Sequence, residues 1–247
     1  MDLELADKAF VVTGGTDGLG LATTTCLIAE GANVLVTGRT EEKFLRAQAE
    51  LGARAGQIAF LSGDNADPEL PARLRTAVMA RWGRLDGLLV SVGGPPMGKA
   101  LTTDDDAWRQ AFESIFLGTV RLVRDLSAVM SDGGAIALVL AVSAKEAAPN
   151  LPISSGFRPG LALLAKNFAD ELGPRNIRIN TLLPSLFATD RVRHLLQDKE
   201  PPTSSLALKR IGDPAEFGRM ATVLLSSAAS YVTGAAIGID GGHLKFL

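Results

Sequence analysis

Thr13-Gly14-Gly15-Thr16-Asp17-Gly18-Leu19-Gly20 follows directly on the apolar, β-rich run 9–13, and a helical segment over about 19–30 begins at its end. A glycine loop between a strand and a helix lets backbone N–H groups approach a pyrophosphate closely, and the helix N-terminus adds positive potential there. The glycine pattern alone is weak evidence. Its place in the first strand–loop–helix unit gives it weight. The plain alternative is a tight glycine turn that holds no ligand.

Outward from this loop, short apolar runs alternate with helical segments to the end of the chain. Strands are predicted over 9–13, 33–37, 58–62, 87–91, 135–142, 177–183 and 236–240, and helices near 19–30, 41–51, 69–81, 104–130, 161–172 and 214–228. Several of the strands are continuously apolar, as strands buried on both faces should be. The alternation predicts an α/β, doubly wound parallel sheet with helices on both faces. No linker, repeat or low-complexity stretch interrupts it, so residues 1–247 are expected to form one domain.

Composition narrows the function. The 25 basic and 27 acidic residues give a net charge of −2, which offers no electrostatic footprint for nucleic acid. Cys26 is the only cysteine, so no intrachain disulfide forms and a reducing compartment fits. The longest apolar run, 135–142, is far short of the roughly 20 residues a membrane-spanning helix needs, and the first residues carry no basic, apolar leader. The expectation is a soluble, cytoplasmic protein without a membrane partner. One cysteine and two histidines with no ligand spacing predict no metal site.

The glycine spacing is Thr-Gly-x-x-x-Gly-x-Gly, with Thr37-Gly38-Arg39 after the second strand and Gly63-Asp64-Asn65 after the third. Asn180-Thr181-Leu182-Leu183-Pro184, Tyr231-Val232-Thr233-Gly234 and Ile239-Asp240-Gly241-Gly242 complete the pattern. Over almost its whole length the chain resembles the short-chain dehydrogenase/reductase superfamily. The resemblance implies a Rossmann-like, seven-stranded sheet in the order 3-2-1-4-5-6-7 and a homodimer or homotetramer. It also implies cofactor contacts at Gly14, Thr16, Gly18, Leu19, Gly20, Asp64, Asn65, Gly93, Pro184 and Thr189. An acid ending the second strand would bind the ribose 2′-hydroxyl of NAD. Gly38 and then Arg39 stand there instead. Arg39 can pair with a 2′-phosphate, so NADP(H) is favoured over NAD(H), with Asp17 in the glycine loop arguing against it. The plain reading of Arg39 is an exposed charge at a helix start.

At the catalytic positions the resemblance breaks. The superfamily uses a tyrosine as general acid/base, a serine beside the substrate oxygen, a lysine one helical turn past the tyrosine, and a helical asparagine. Here those positions fall on Ser154, Ala141, Arg158 and Ile115, and Ser91-Val92-Gly93-Gly94 replaces the Asn-Asn-Ala-Gly motif. The only tyrosine is Tyr231. A two-residue slip puts Ser143 at the serine position but Gly156 at the tyrosine position. Ser154 and Arg158 are the catalytic candidates by position, yet a serine hydroxyl is a weak acid and arginine stays protonated, so they make a poor acid/base pair. Pro159 predicts a helix that begins near it, leaving 154–158 in a loop where the pair need not share a face. Gly93-Gly94-Pro95-Pro96, Lys145-Glu146 and Pro149-Asn150-Leu151 resemble an atypical 3-oxoacyl-carrier-protein reductase-like subset that lacks Tyr-x-x-x-Lys.

Other residues have plainer readings. His194 is a candidate acid in the segment after Pro184, but reads more simply as a surface histidine, and His243 more so. Lys145 and Glu146 read as a local ion pair. Asp104-Asp105-Asp106 reads as a helix cap and acidic first turn. Two functions stay open. One is an NADP(H)-dependent oxidoreductase acting on a small or acyl-type carbonyl by a non-standard proton donor. The other is a catalytically inactive NADP(H)-binding sensor or partner subunit. A tyrosine-dependent reductase is excluded.

Overall fold

The computed structural model describes residues 2–196 and 200–245. Seven strands form one parallel sheet: β1 (Ala9–Val12), β2 (Asn33–Gly38), β3 (Ile58–Ser62), β4 (Gly87–Ser91), β5 (Ala135–Val139), β6 (Arg178–Pro184) and β7 (Ala236–Ile239). Their spatial order is β3-β2-β1-β4-β5-β6-β7, as the resemblance implied. The order reverses between β1 and β4, the switch point at whose carboxyl strand ends such sheets form their ligand crevice.

Side chains alternate across the pleat and build a core on each face. Val11, Leu88, Ile136 and Leu138 point to one face. They pack under α3 (Leu70–Trp82), α5 (Gly118–Ser127) and α6 (Pro152–Leu172) through Leu74, Leu122, Leu126 and Leu161. Phe10, Val12, Ala137 and Leu182 point to the other. They meet α1 (Gly18–Ala29), Phe44 of α2 (Glu41–Glu50) and α8 (Pro214–Leu225). Buried on both faces, the inner strands β1, β4 and β5 carry the continuous apolar runs seen in the sequence, while the edge strands β3 and β7 are only partly buried.

Three elements depart from the sequence reading. The predicted strand over 135–142 stops at Val139, because Ala141 to Ala144 turn through a 3₁₀ segment beneath α6. The predicted helix over 104–130 is α4 (Asp105–Ala111), a π-helical turn over Phe112–Leu117, and α5. Asp104 caps α4 as expected, accepting from Ala107 N at 2.7 Å. Gly118 follows the π turn and sits so close to the Asn65 carbonyl that a Cβ would lie 2.2 Å from its oxygen.

The third departure concerns α6. It begins at Pro152, not near Pro159, and it carries Pro159 inside it. Pro152 occupies a first-turn position, where the missing N–H costs nothing. Tertiary packing overrides the breaker at Pro159: Ile153 and Leu161, on either side of it, are buried in the core. Phe157 stacks edge-on against Trp108 at 5.4 Å. Ser154 to Arg158 are therefore helical and share a face, contrary to the expected loop. Between β6 and α8 lies a short helix, α7 (Asp190–Leu196). No helix among the described residues is long and apolar enough to cross a membrane.

Candidate active site

The glycine loop turns back on itself at the carboxyl end of β1. Gly14 has φ +59°, and a Cβ on Gly20 would lie 2.2 Å from the Gly14 carbonyl oxygen. Only glycine permits that approach. Asp17 is the N-cap residue of α1, but its carboxylate does not cap the helix. It reaches Lys43 Nζ at 2.6 Å instead. The first amides of α1 thus keep no side-chain acceptor, and the positive helix end stays open to an anion. Thr189 stands over the loop, with its methyl 3.5 Å from where a Gly18 Cβ would lie. Thr16 and Leu19 line the same loop, Thr16 buried and Leu19 partly so.

The neighbouring strand ends complete this half. Thr13 Oγ1 donates to the Ser91 carbonyl and accepts from Ser91 N, each at 2.9 Å, which ties the ends of β1 and β4 together. Asn65 Nδ2 reaches Thr13 Oγ1 at 3.4 Å, and Asp64 is exposed, its carboxylate accepting from Ala66 N. Arg39 is exposed past the end of β2, and its guanidinium has no partner among the described residues. Gly93 is exposed beyond β4 and Pro184 is buried at the end of β6. The predicted cofactor residues therefore lie along one edge of the sheet. A helix N-terminus without a side-chain cap, beside a glycine cradle, suits the pyrophosphate of a dinucleotide.

On the other side of the crevice, Arg158 Nε donates to Ser154 Oγ at 2.9 Å, and Ser154 Oγ meets Ser143 Oγ at 2.8 Å. Arg158 Nη1 donates to the Val139 carbonyl, at the end of β5, at 3.1 Å. All three side chains are buried. Among the described residues the two hydroxyls share one hydrogen bond between them and donate to nothing else, so one O–H is left unpaired. Arg158 faces no carboxylate among the described residues, and burial, helped by the charge of Arg191, lowers its pKa to about 10.

Sequence reasoning passed over three of these groups. The superfamily's spacing to the tyrosine position singles out Ala141 and not Ser143. The connection here is two residues shorter, so Ser143 rather than Ala141 faces Ser154. Lys43 carried no motif, and it pairs with Asp17 of the glycine loop at 2.6 Å. Arg191 lays its guanidinium on Gly94, where a Cβ would lie 2.2 Å from Nη2, and donates to the Pro95 carbonyl at 2.9 Å. The glycine pair after β4 was the available signal for it.

The remaining candidates fall away or change role. Lys145 and Glu146 are exposed and form no ion pair with each other, because each points to solvent from the turn after β5. His194 is exposed, and Tyr231 is fully exposed far along the chain. His243 is not a free tail residue: its Nδ1 lies 2.7 Å from Ser185 Oγ, next to Pro184. Ile115, at the asparagine position, is buried in the core.

The sequence profile described as Enoyl-(Acyl carrier protein) reductase matches residues 14–243. Oxidoreductase asL5 of Sarocladium schorii is 32% identical over 245 residues, covering 96% of each chain. Dehydrogenase/reductase SDR family member 4 of Sus scrofa is 31% identical, covering 96% of this chain and 88% of its own. Among solved structures, a short-chain dehydrogenase/reductase of the glucose/ribitol dehydrogenase type from Brucella melitensis superposes with a TM-score of 0.94 at 25% identity, over the whole of both chains. With its glycine loop, strand order and these likenesses together, the chain belongs to the short-chain dehydrogenase/reductase superfamily, a family of oxidoreductases that use a nicotinamide cofactor.

Proposed function

We propose that the protein is an NADP(H)-dependent oxidoreductase that interconverts a small or acyl-type carbonyl compound and its alcohol without a tyrosine. The unpaired hydroxyl proton of the buried Ser143–Ser154 pair carries this reading, because a substrate oxygen is the partner it lacks. Gly14, Thr16, Gly18, Leu19, Gly20 and Thr189 would hold the pyrophosphate half of the cofactor. Asp64 and Asn65 would hold the adenine end, Arg39 the 2′-phosphate, and Gly93 and Pro184 the nicotinamide side. When bound, the reduced nicotinamide supplies the hydride that adds to the carbonyl carbon.

The chain's own groups manage the proton. Arg158 fixes Ser154 through Nε, and Ser154 positions Ser143. The free O–H of the pair gives its proton to the substrate oxygen, and the pair recovers one proton from water. Arg158 does not need to titrate. Its fixed charge stabilises the negative charge that develops on oxygen, as a preorganised donor does in a dry site. The single domain and the homodimeric or homotetrameric assembly belong to the same reading.

Steady-state NADPH oxidation across aldehydes, ketones, oxo acids and acyl thioesters tests it. Turnover is expected with at least one class. Ser143→Ala should lower kcat about 10²-fold, the scale of one lost proton donor, with NADPH binding unchanged. Tight NADPH binding with no turnover in any class would instead identify a catalytically inactive sensor or partner subunit.

A further inference from the structure

The groups around the Ser143–Ser154 pair carry more positive charge than a neutral carbonyl requires. Arg158 is 5% exposed and has no salt-bridge partner among the described residues. Its Nε and Nη1 are used, on Ser154 and on the Val139 carbonyl. Its Nη2 has no hydrogen-bond partner among them. Thr222 Oγ1 is the one fully enclosed side-chain polar atom without a partner among the described residues, so Nη2 is not sealed off and opens outward, and a largely buried cation without an anion is costly.

A second guanidinium converges on the same place. Arg191 hydrogen-bonds the Pro95 carbonyl and packs on Gly94, just past the end of β4. Arg158 reaches Val139, the last residue of β5. Ser91 and Val139 are register partners, so these two strand ends are adjacent. Arg191 also forms no salt bridge among the described residues. Beyond the cost of burial, the charge of Arg191 disfavours that of Arg158. Two like charges at one edge, one of them buried, are explained by a guest of opposite sign.

We propose that Arg158 and Arg191 form a subsite for the carboxylate of an oxo-acid substrate, placing its carbonyl oxygen at the Ser143–Ser154 hydroxyls. A carboxylate matches the planar fork of a guanidinium and is small enough to leave the carbonyl at the serines. Arg158 extends from α6 beside Ser143 and Ser154, which assigns the subsite to the substrate, and Arg191 stands two residues past Thr189, so the test must separate the subsite from the cofactor's phosphates. Calling the guest a substrate rests on the proposed function; the anion site itself does not.

The test is calorimetric titration of the NADPH-saturated full-length protein with pyruvate, with acetone as the neutral counterpart and inorganic phosphate as a second anion. Pyruvate is expected to bind and acetone not. Arg191→Gln, at an exposed position that does not threaten folding, should weaken pyruvate about tenfold while leaving NADPH affinity within about twofold. Arg158→Met should abolish pyruvate binding. Three results overturn the subsite: pyruvate that does not bind, acetone that binds as well, or an Arg191→Gln variant that loses NADPH in step with pyruvate. The last would assign the pair to the cofactor's phosphates, as would pyruvate or phosphate competing with NADPH. Turnover of neutral carbonyls without pyruvate binding removes the subsite alone. Pyruvate binding without any turnover removes the proposed function alone.

Discussion

Arg158 donates to Ser154 Oγ at 2.9 Å across one turn of α6, and both residues are buried with no carboxylate beside them among the described residues. The superfamily's tyrosine and lysine positions have thus kept their shared helix face while exchanging their chemistry. A hydroxyl on a short arm replaces a phenol, and a buried guanidinium replaces an ammonium.

This arrangement costs stability. Burial lowers the Arg158 pKa to about 10, a penalty on the order of 3 kcal/mol at ~1.4 kcal/mol per unit. The hydrogen bonds to Ser154 and Val139 offset much of it. Arg158→Met is therefore expected to melt within a few degrees of the wild type or above it. Removing one partner of a buried ion pair would cost about 3–5 kcal/mol instead. The pH dependence follows from the sign of the shift. Below pH 10 the guanidinium is charged in both folded and unfolded states, so the gap between wild type and variant is flat. Above about pH 10 the folded wild type sheds its proton before the unfolded chain does and gains on the variant. Chemical denaturation of the pair from pH 6 to 11 checks both points.

Lys43 and Asp17 form an exposed ion pair beside the glycine loop. Lys43→Met leaves the Asp17 carboxylate unopposed near the cofactor's phosphates. NADPH is expected to weaken several-fold and NADH less so, because NADPH carries the extra phosphate. Asp17→Asn in the Lys43→Met background should restore most of the loss. Fluorescence titration of the four proteins reads the outcome, and equal effects on both cofactors would separate this pair from phosphate discrimination.

The start of α8 is held by a capping box between Asp213 and Glu216, with Arg210 chelating the Glu216 carboxylate at 2.7 and 2.8 Å. Arg210 and the Asp213 N–H together lower the Glu216 pKa to about 2. α8 packs directly on α1: a Cβ on Gly218 would lie 2.4 Å from the Ala22 carbonyl oxygen. Glu216→Gln should lower the thermal midpoint by a few degrees at pH 7. A depressed carboxylate stabilises above its unfolded pKa, so the deficit of the variant should shrink as pH falls from about 4.5 towards 2. A deficit that stays constant over that range would show that the charge of Glu216 is not what matters.

His243 Nδ1 and Ser185 Oγ join the C-terminal turn to the residue after Pro184. His243→Ala should loosen that loop and raise the KM for the carbonyl substrate several-fold with little change in kcat, since no reacting atom is touched. A loss confined to kcat would give His243 a place in the chemistry.

The fold was legible in the sequence because its signals are local and repeated. Each buried strand reads as an apolar run, and the glycine loop sits where a strand meets a helix. The site was legible only in part, for reasons that particular residues show. Pro159 is a helix breaker in isolation, and only the packing of Ile153, Phe157 and Leu161 keeps α6 intact through it. Ser143 was hidden by a two-residue change in a connection, which spacing alone cannot reveal. The convergence of Arg158 and Arg191 joins residues 33 apart through the pairing of β4 with β5, and nothing local in the sequence announces it.

The most direct measurement of the central claim is a titration of the purified protein with NADPH and with NADH, following thermal stability. A ligand that binds only the folded chain raises stability by RT ln(1 + [L]/Kd). The account predicts a concentration-dependent rise that is much larger with NADPH and is abolished by Arg39→Asp. No rise with either cofactor would contradict it: the glycine cradle would then be a turn without a ligand, and the oxidoreductase reading would fall with it.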